Sequence, residues 1–117
     1  YTKKYKGWCE AALSYTTSPV HNIEYFVKLA KKLGLFTVQR FFIVDSHSVS
    51  TTIESAKSSK ADMIEIMPGT VAKVIKKLRY ELDMPVVAGG LIETEEEIRE
   101  VVSCGAAAVS VSNQSLW

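Results

Sequence analysis

The sequence is short of several features, and each shortage excludes something. Its two cysteines, Cys9 and Cys104, stand far apart in no metal-binding or redox spacing. That pattern favours two unrelated thiols in a reducing cytosol over a disulfide framework or a zinc site. No apolar run approaches the roughly 20 residues that a membrane helix needs. The opening YTKKYKGWCEAALSY lacks both an uninterrupted apolar segment and a small-residue cleavage site, so it does not read as a signal peptide. Charge of one sign is also missing. Fourteen Lys and Arg face 13 Asp and Glu, for a net charge of +1, which argues against coating nucleic acid by bulk electrostatics but leaves room for a local basic patch. There is no initiator Met, and the chain is expected to be a piece of something longer.

From Phe36 onward, short apolar runs alternate with amphipathic segments. FTVQRFFIVD, ending at Asp45, reads as a strand buried on both faces. SVSTTIESAKSSK, with Val49, Ile53 and Ala56 at helical spacing, reads as a helix, and DMIEIM as a second strand closed by Pro68 and Gly69. TVAKVIKKLRYEL is the clearest helix, with Val71, Val74, Ile75, Leu78 and Leu82 in one apolar stripe. MPVVAGG is a third strand and AAAVSVS a fourth. Between them, ETEEEIREVVSCG has Thr94 as N-cap with Glu97 three residues on, a capping box. Ile98, Val101 and Val102 form its inner face, and Gly105 suits its end. Upstream, NIEYFVKLAKKLG repeats the helical pattern, with Ile23, Phe26, Val27, Ala30 and Leu33 inward and Gly34 as cap. Residues 1–19 do not follow the pattern and are set apart from 20–117.

Strand starts near Phe41, Asp62, Pro85 and Ala107 recur roughly every 22 residues, a βα unit repeated. Such units require parallel strands and right-handed crossovers, in a doubly wound sheet or a TIM-like (β/α) barrel. A complete barrel takes about 250 residues. The expected fold is therefore half of a barrel, about four βα units.

Ligands of both architectures bind at the carboxyl ends of the strands. Those ends carry Asp45, Ser46 and His47; Glu65, Pro68 and Gly69; Gly89 and Gly90; and Ser110, Ser112 and Asn113. A bare Gly-Gly pair lets backbone N–H groups approach an anion, and the next strand end adds further donors. Tight turning is the plainer reading of the glycines, but with Ser-x-Ser-Asn beside them the pattern points to the recurrent phosphate site of such barrels. Glu65 sits among apolar neighbours, where a charge needs a partner, and Arg40 or a ligand hydroxyl would supply one. Asp45 suits two roles, N-cap of the next helix or ligand contact. His21 and His47 have no recognisable partners, His47 reading as a surface loop residue, and Met63, Met67 and Met84 read as core packing.

These residues resemble a known family. TVQRFFIVDS, IEIMPG, PVVAGGLIETEEEI and AVSVSNQSLW, extended by AKKLGLFTVQRFFIVDS, are similar to the bacterial glycerol uptake operon antiterminator regulators, from about Val20 to Trp117. AGGLI alone is common among phosphate barrels, whereas these segments in this order are not. The resemblance implies a small TIM-like barrel in the cytosol that senses glycerol 3-phosphate and acts on the leader mRNA of glycerol-uptake genes, preventing premature termination. It implies no catalysis and no cofactor beyond that effector. By position, the phosphate would lie on Gly89, Gly90, Ser112 and Asn113, with Ser110 at the same strand end. Arg40, Asp45 and Glu65 would face the barrel mouth at the glycerol end. Family members carry a longer N-terminal half, which makes this chain the C-terminal half.

The RNA surface is only weakly signalled. Lys28, Lys31 and Lys32 on one helix, and Lys73, Lys76, Lys77 and Arg79 on another, form basic faces that also read as ordinary solvated surface. Tyr80 is the one aromatic placed among them for base stacking. The competing reading is a phosphate-barrel enzyme, an isomerase or synthase, with Glu65 as general base and Asp45 its partner. Apart from His47, which reads as a surface loop residue, the strand ends offer no Lys or His for that chemistry, and no metal-ligand cluster. No membrane partner is expected, and an oligomer is compatible with every one of these features.

Overall fold

Four short strands pair side by side, and their connections decide which face of the sheet is covered. The computed structural model describes residues 20–117, with side chains from residue 25 onward. The segment 1–19, Cys9 and the side chains of His21 and Ile23 lie outside the described residues. Element order is α1 (Val20–Lys32), β1 (Val38–Phe42), α2 (Ser46–Ser59), β2 (Met63–Met67), α3 (Ala72–Glu81), β3 (Val86–Gly89), α4 (Glu95–Ser103) and β4 (Ala108–Ser110), followed by a 3-10 turn at Gln114–Leu116. No helix is long and apolar enough to cross a membrane among the described residues.

The sheet is parallel throughout, in the order β1-β2-β3-β4. Right-handed crossovers that always step the same way leave every helix on one side. Burial follows that arrangement. Ile64, Ile66, Val86 and Ala88 are fully buried in one cluster with Val49 and Ala56 of α2, Ile75 and Leu78 of α3 and Val101 of α4. Their strand neighbours point the other way, because successive side chains alternate across a sheet. Arg40 and Phe42, Met63, Glu65 and Met67, Val87, and Ala108 and Ser110 form that second face, which no helix among the described residues covers. The four strands are consecutive βα units of a TIM-like barrel, and the open face is the barrel interior.

This corrects the expectation that the run 36–45 is buried on both faces. The strand is shorter than that run, and Phe42 is 46% and Val44 85% exposed. An interior layer is filled by side chains from strands all around a ring, and four strands complete only part of each layer. Met63 and Met67 stand on the same open face and are only half-buried, whereas Met84 does pack against the core. β4 spans three residues, also shorter than AAAVSVS.

Local signals decide the helix ends. Thr94 Oγ1 accepts from Glu97 N–H at 3.2 Å while Glu97 Oε2 accepts from Thr94 N–H at 3.2 Å, the capping box that TEEE spells. Gly34 closes α1 at φ +75, its N–H donating to Lys31 O and that of Leu35 to Ala30 O. Gly105 does the same for α4 at φ +107. Two apolar positions expected inward are exposed instead. Leu33 falls one residue past the end of α1, in the turn, and Val102 lies on the flank of α4, the last helix of the row.

Candidate functional site at the strand ends

Register places the site residues in layers on the open face. Arg40 pairs in register with Glu65, and Glu65 with Val87. Side chains at directly opposed positions of adjacent strands meet. Here Arg40 Nε donates to Glu65 Oε2 at 2.8 Å, with the two side chains 33% and 12% exposed. One layer nearer the carboxyl ends come Phe42 and Met67, in register, and Gly89 with Ser110.

Gly89 is glycine for a reason that the sequence did not disclose. A Cβ at this position would run into Glu65 Oε1 and approach Cδ to 3.1 Å. The bare backbone makes room for the carboxylate. Gly90 adopts φ +83, a left-handed conformation that glycine tolerates, and Leu91 follows at φ +60. A Cβ on Gly90 would meet Met67 Cε at 2.8 Å, and its carbonyl accepts from Gly69 N–H at 2.9 Å. Gly69 follows the cis Met67–Pro68 peptide, and a Cβ there would lie 2.7 Å from Gly89 N. The loops after β2 and β3 are thus locked backbone to backbone.

Gly89, Gly90 and Ser110 are brought together at adjacent strand ends, with Ser112 and Asn113 just beyond. Asn113 Oδ1 is engaged locally, accepting from Ser115 N–H at 3.0 Å and from Ser115 Oγ at 2.8 Å. Asp45 has a different situation. It caps α2, accepting from Ser48 N–H at 2.8 Å, while Ser48 Oγ accepts from Asp45 N–H at 3.0 Å. The Ser48 backbone hydrogen bond, then the Ser48 hydroxyl, hold its carboxyl below the usual range. Of its two readings the structure displays the cap, at a groove between α2 and α3 that Lys73 and Lys77 also line. His47 belongs to the first turn of α2 rather than to a loop.

The basic residues do not converge. α1 packs on α2 and α2 on α3, so α2 separates the two faces. Lys31 donates to Lys60 O at 2.5 Å and pairs with Asp62 Oδ1 at 3.5 Å, at the amino end of β2. Lys28 and Lys32 are exposed on α1, and Lys73, Lys76, Lys77 and Arg79 on α3.

Two polar clusters went unread in the sequence. Gln39, 1% exposed, points to α2, where its Nε2 donates to Ser55 Oγ at 3.2 Å and Ser59 Oγ donates to its Oε1 at 2.5 Å. Strict alternation along VQRFF was the available signal, since it puts Gln39 opposite to Arg40. At the other end of the sheet, Thr37 N–H and Oγ1 each donate to Asp62 Oδ2 at 2.8 Å. Partial burial pushes the Asp62 carboxyl up, but the Thr37 donors and the Lys31 ammonium outweigh it and hold the group below its ordinary value.

A family model described as glycerol-3-phosphate responsive antiterminator matches residues 20–117. The uncharacterized protein YgcP of Escherichia coli K12 is 36% identical over 91 residues, covering 78% of this chain and 48% of that protein. Among solved structures, the glycerol uptake operon antiterminator regulatory protein of Listeria monocytogenes superposes with a TM-score of 0.76 at 35% identity, over 80% of this chain and 51% of that one. A glycerol uptake operon antiterminator-related protein of Thermotoga maritima gives 0.65 at 26% identity, over 91% and 87%. The chain therefore spans about half the length of the Escherichia and Listeria proteins.

Proposed function

Since the chain belongs to the family of glycerol-3-phosphate responsive antiterminators, we propose that residues 20–117 are the C-terminal βα units of a TIM-like barrel that binds glycerol 3-phosphate and thereby controls binding to the leader mRNA of glycerol-uptake genes. The phosphate lies against Gly90, Ser110, Ser112 and Asn113, beside Gly89. The glycerol hydroxyls reach the layer below, where Arg40 donates and Glu65 accepts. Asp45 acts from the rim, as cap of α2.

One observation carries this reading: an ion pair on the interior face lies one layer below the strand ends where Gly89, Gly90 and the small Ser110 leave a corner with little side chain. That stacking offers an anion above and a polyol below what each needs. The same pair supports a sensor over an enzyme. Glu65 is already held by Arg40, and the layer at the strand ends consists of Phe42, Met67, Gly89 and Ser110, none of which titrates. Among the described residues, that layer supplies no general acid or base. The family description, antiterminator, supports RNA as the second partner.

The test is calorimetric titration with glycerol 3-phosphate, followed by gel retention of leader RNA with and without it. Saturable binding that changes RNA retention, with the ligand recovered unaltered, is the expected result. Turnover of the ligand would favour the isomerase or synthase reading and sink this one.

A further inference from the structure

Helix α3 is basic and its neighbour α4 is acidic. α3 carries Lys73, Lys76, Lys77 and Arg79 against Glu81, while α4 carries Glu95, Glu96, Glu97 and Glu100 against Arg99. The two helices pack side by side. A polyanion drawn to α3 is therefore repelled on the α4 side and turned toward α2. On that side lies a groove of about 480 Å³, with Val49 and Val74 in its apolar wall, Lys73 and Lys77 along one rim, and Ser46 and Ser50 on the other beside the Asp45 carboxylate, which the two lysines outnumber.

Lys73, Lys77 and Tyr80 are spaced by four and three residues, so they share one face of α3. Tyr80 is 91% exposed. Burying its ring against this chain contributes almost nothing to folding, and an aromatic ring beside lysines is the standard platform for an unpaired base. A duplex hides its base faces in the stack, so only a single strand can use such a ring. On the other basic helix Tyr25, Lys28 and Lys32 also share a face, but Tyr25 is less exposed at 63%, its ring meets that of Phe26 edge to face, and the neighbouring Lys31 is engaged by Lys60 O and Asp62.

We propose that the Lys73, Lys77 and Tyr80 face of α3, with the groove between α2 and α3, is the docking surface for single-stranded RNA. The lysines meet successive phosphates, Tyr80 stacks under one base, and a neighbouring base enters the groove. This placement rests on the antiterminator reading and adds to it the surface used.

The experiment measures fluorescence anisotropy of a labelled glycerol-operon leader transcript across a salt series, on the full chain. Lys73→Gln with Lys77→Gln is expected to weaken binding at least tenfold and to lower the salt slope by about 1.4, the single-strand value for two phosphate contacts. Tyr80→Ala is expected to weaken it by between about fivefold and a hundredfold, with the slope unchanged. Lys28→Gln with Lys32→Gln, on α1, is expected to bind like the wild type. All three variants should keep their glycerol 3-phosphate affinity by calorimetry, which also shows that they fold. If the α3 variants bind RNA normally, or the α1 variant loses it, this surface is wrong while the antiterminator reading stands. A wild type that binds glycerol 3-phosphate but no leader RNA overturns both.

Discussion

The Glu65 carboxylate lies so close against Gly89 that a single added methyl would collide with it. Two residues on neighbouring strands therefore have to be considered as one unit, together with Arg40, which holds that carboxylate from the other side. The glycine proposed to border the phosphate is also the glycine that seats the interior ion pair.

Gly89→Ala should consequently destabilise the fold by about 1–3 kcal/mol, the usual cost of overpacking a close contact. The cost should shrink when Glu65→Ala is made in the same chain, because the colliding oxygen is gone. A double-mutant cycle by urea denaturation measures this coupling. Additive effects would mean that Gly89 is required by something other than Glu65.

Arg40→Met removes the donor from a carboxylate whose side chain is 12% exposed. Leaving such a group unsatisfied costs about 1–3 kcal/mol. The same change should lower glycerol 3-phosphate affinity by tenfold or more, since Glu65 is no longer held for the ligand. Thermal unfolding reads the first effect and calorimetry the second.

Thr37 and Asp62 predict a pH dependence. The folded Asp62 carboxyl lies below its ordinary value of 3.8, so folding favours the ionised form. Its contribution to stability is fully present above 3.8 and disappears as pH falls through the lower folded value. Urea midpoints of wild type and Asp62→Asn should therefore differ near neutrality and approach each other in acid. A difference that stays constant through the acid range would show that Asp62 is not held ionised by Thr37.

Thr94→Ala should cost about 1 kcal/mol by deleting the acceptor for Glu97 N–H at the start of α4. Circular dichroism during urea unfolding gives the magnitude. Thr94→Ser should retain most of the stability, because the hydroxyl is kept.

The capping box of α4, the glycine stops of α1 and α4, and the order of the βα units were all legible in the sequence. Each depends on residues a few positions apart or on a repeat whose only sterically favoured closure is parallel and right-handed. The strand-end residues Gly89, Gly90, Ser110, Ser112 and Asn113 were legible too, as positions. What Gly89 accommodates was not, nor was the Gln39 cluster with Ser55 and Ser59.

Which face of the sheet is covered, which carboxylate meets which cation, and whether the lysines converge were decided only in three dimensions. Arg40 and Glu65 are 25 residues apart in the chain and touch because parallel register sets them opposite each other. Lys31 and Lys73 carry the same charge, but one is spent at the amino end of β2 while the other stands by an open groove. Local hydrogen bonding and periodicity are written within a turn or two of chain. Contact between distant segments depends on how whole elements stack, and no short stretch of residues contains that information.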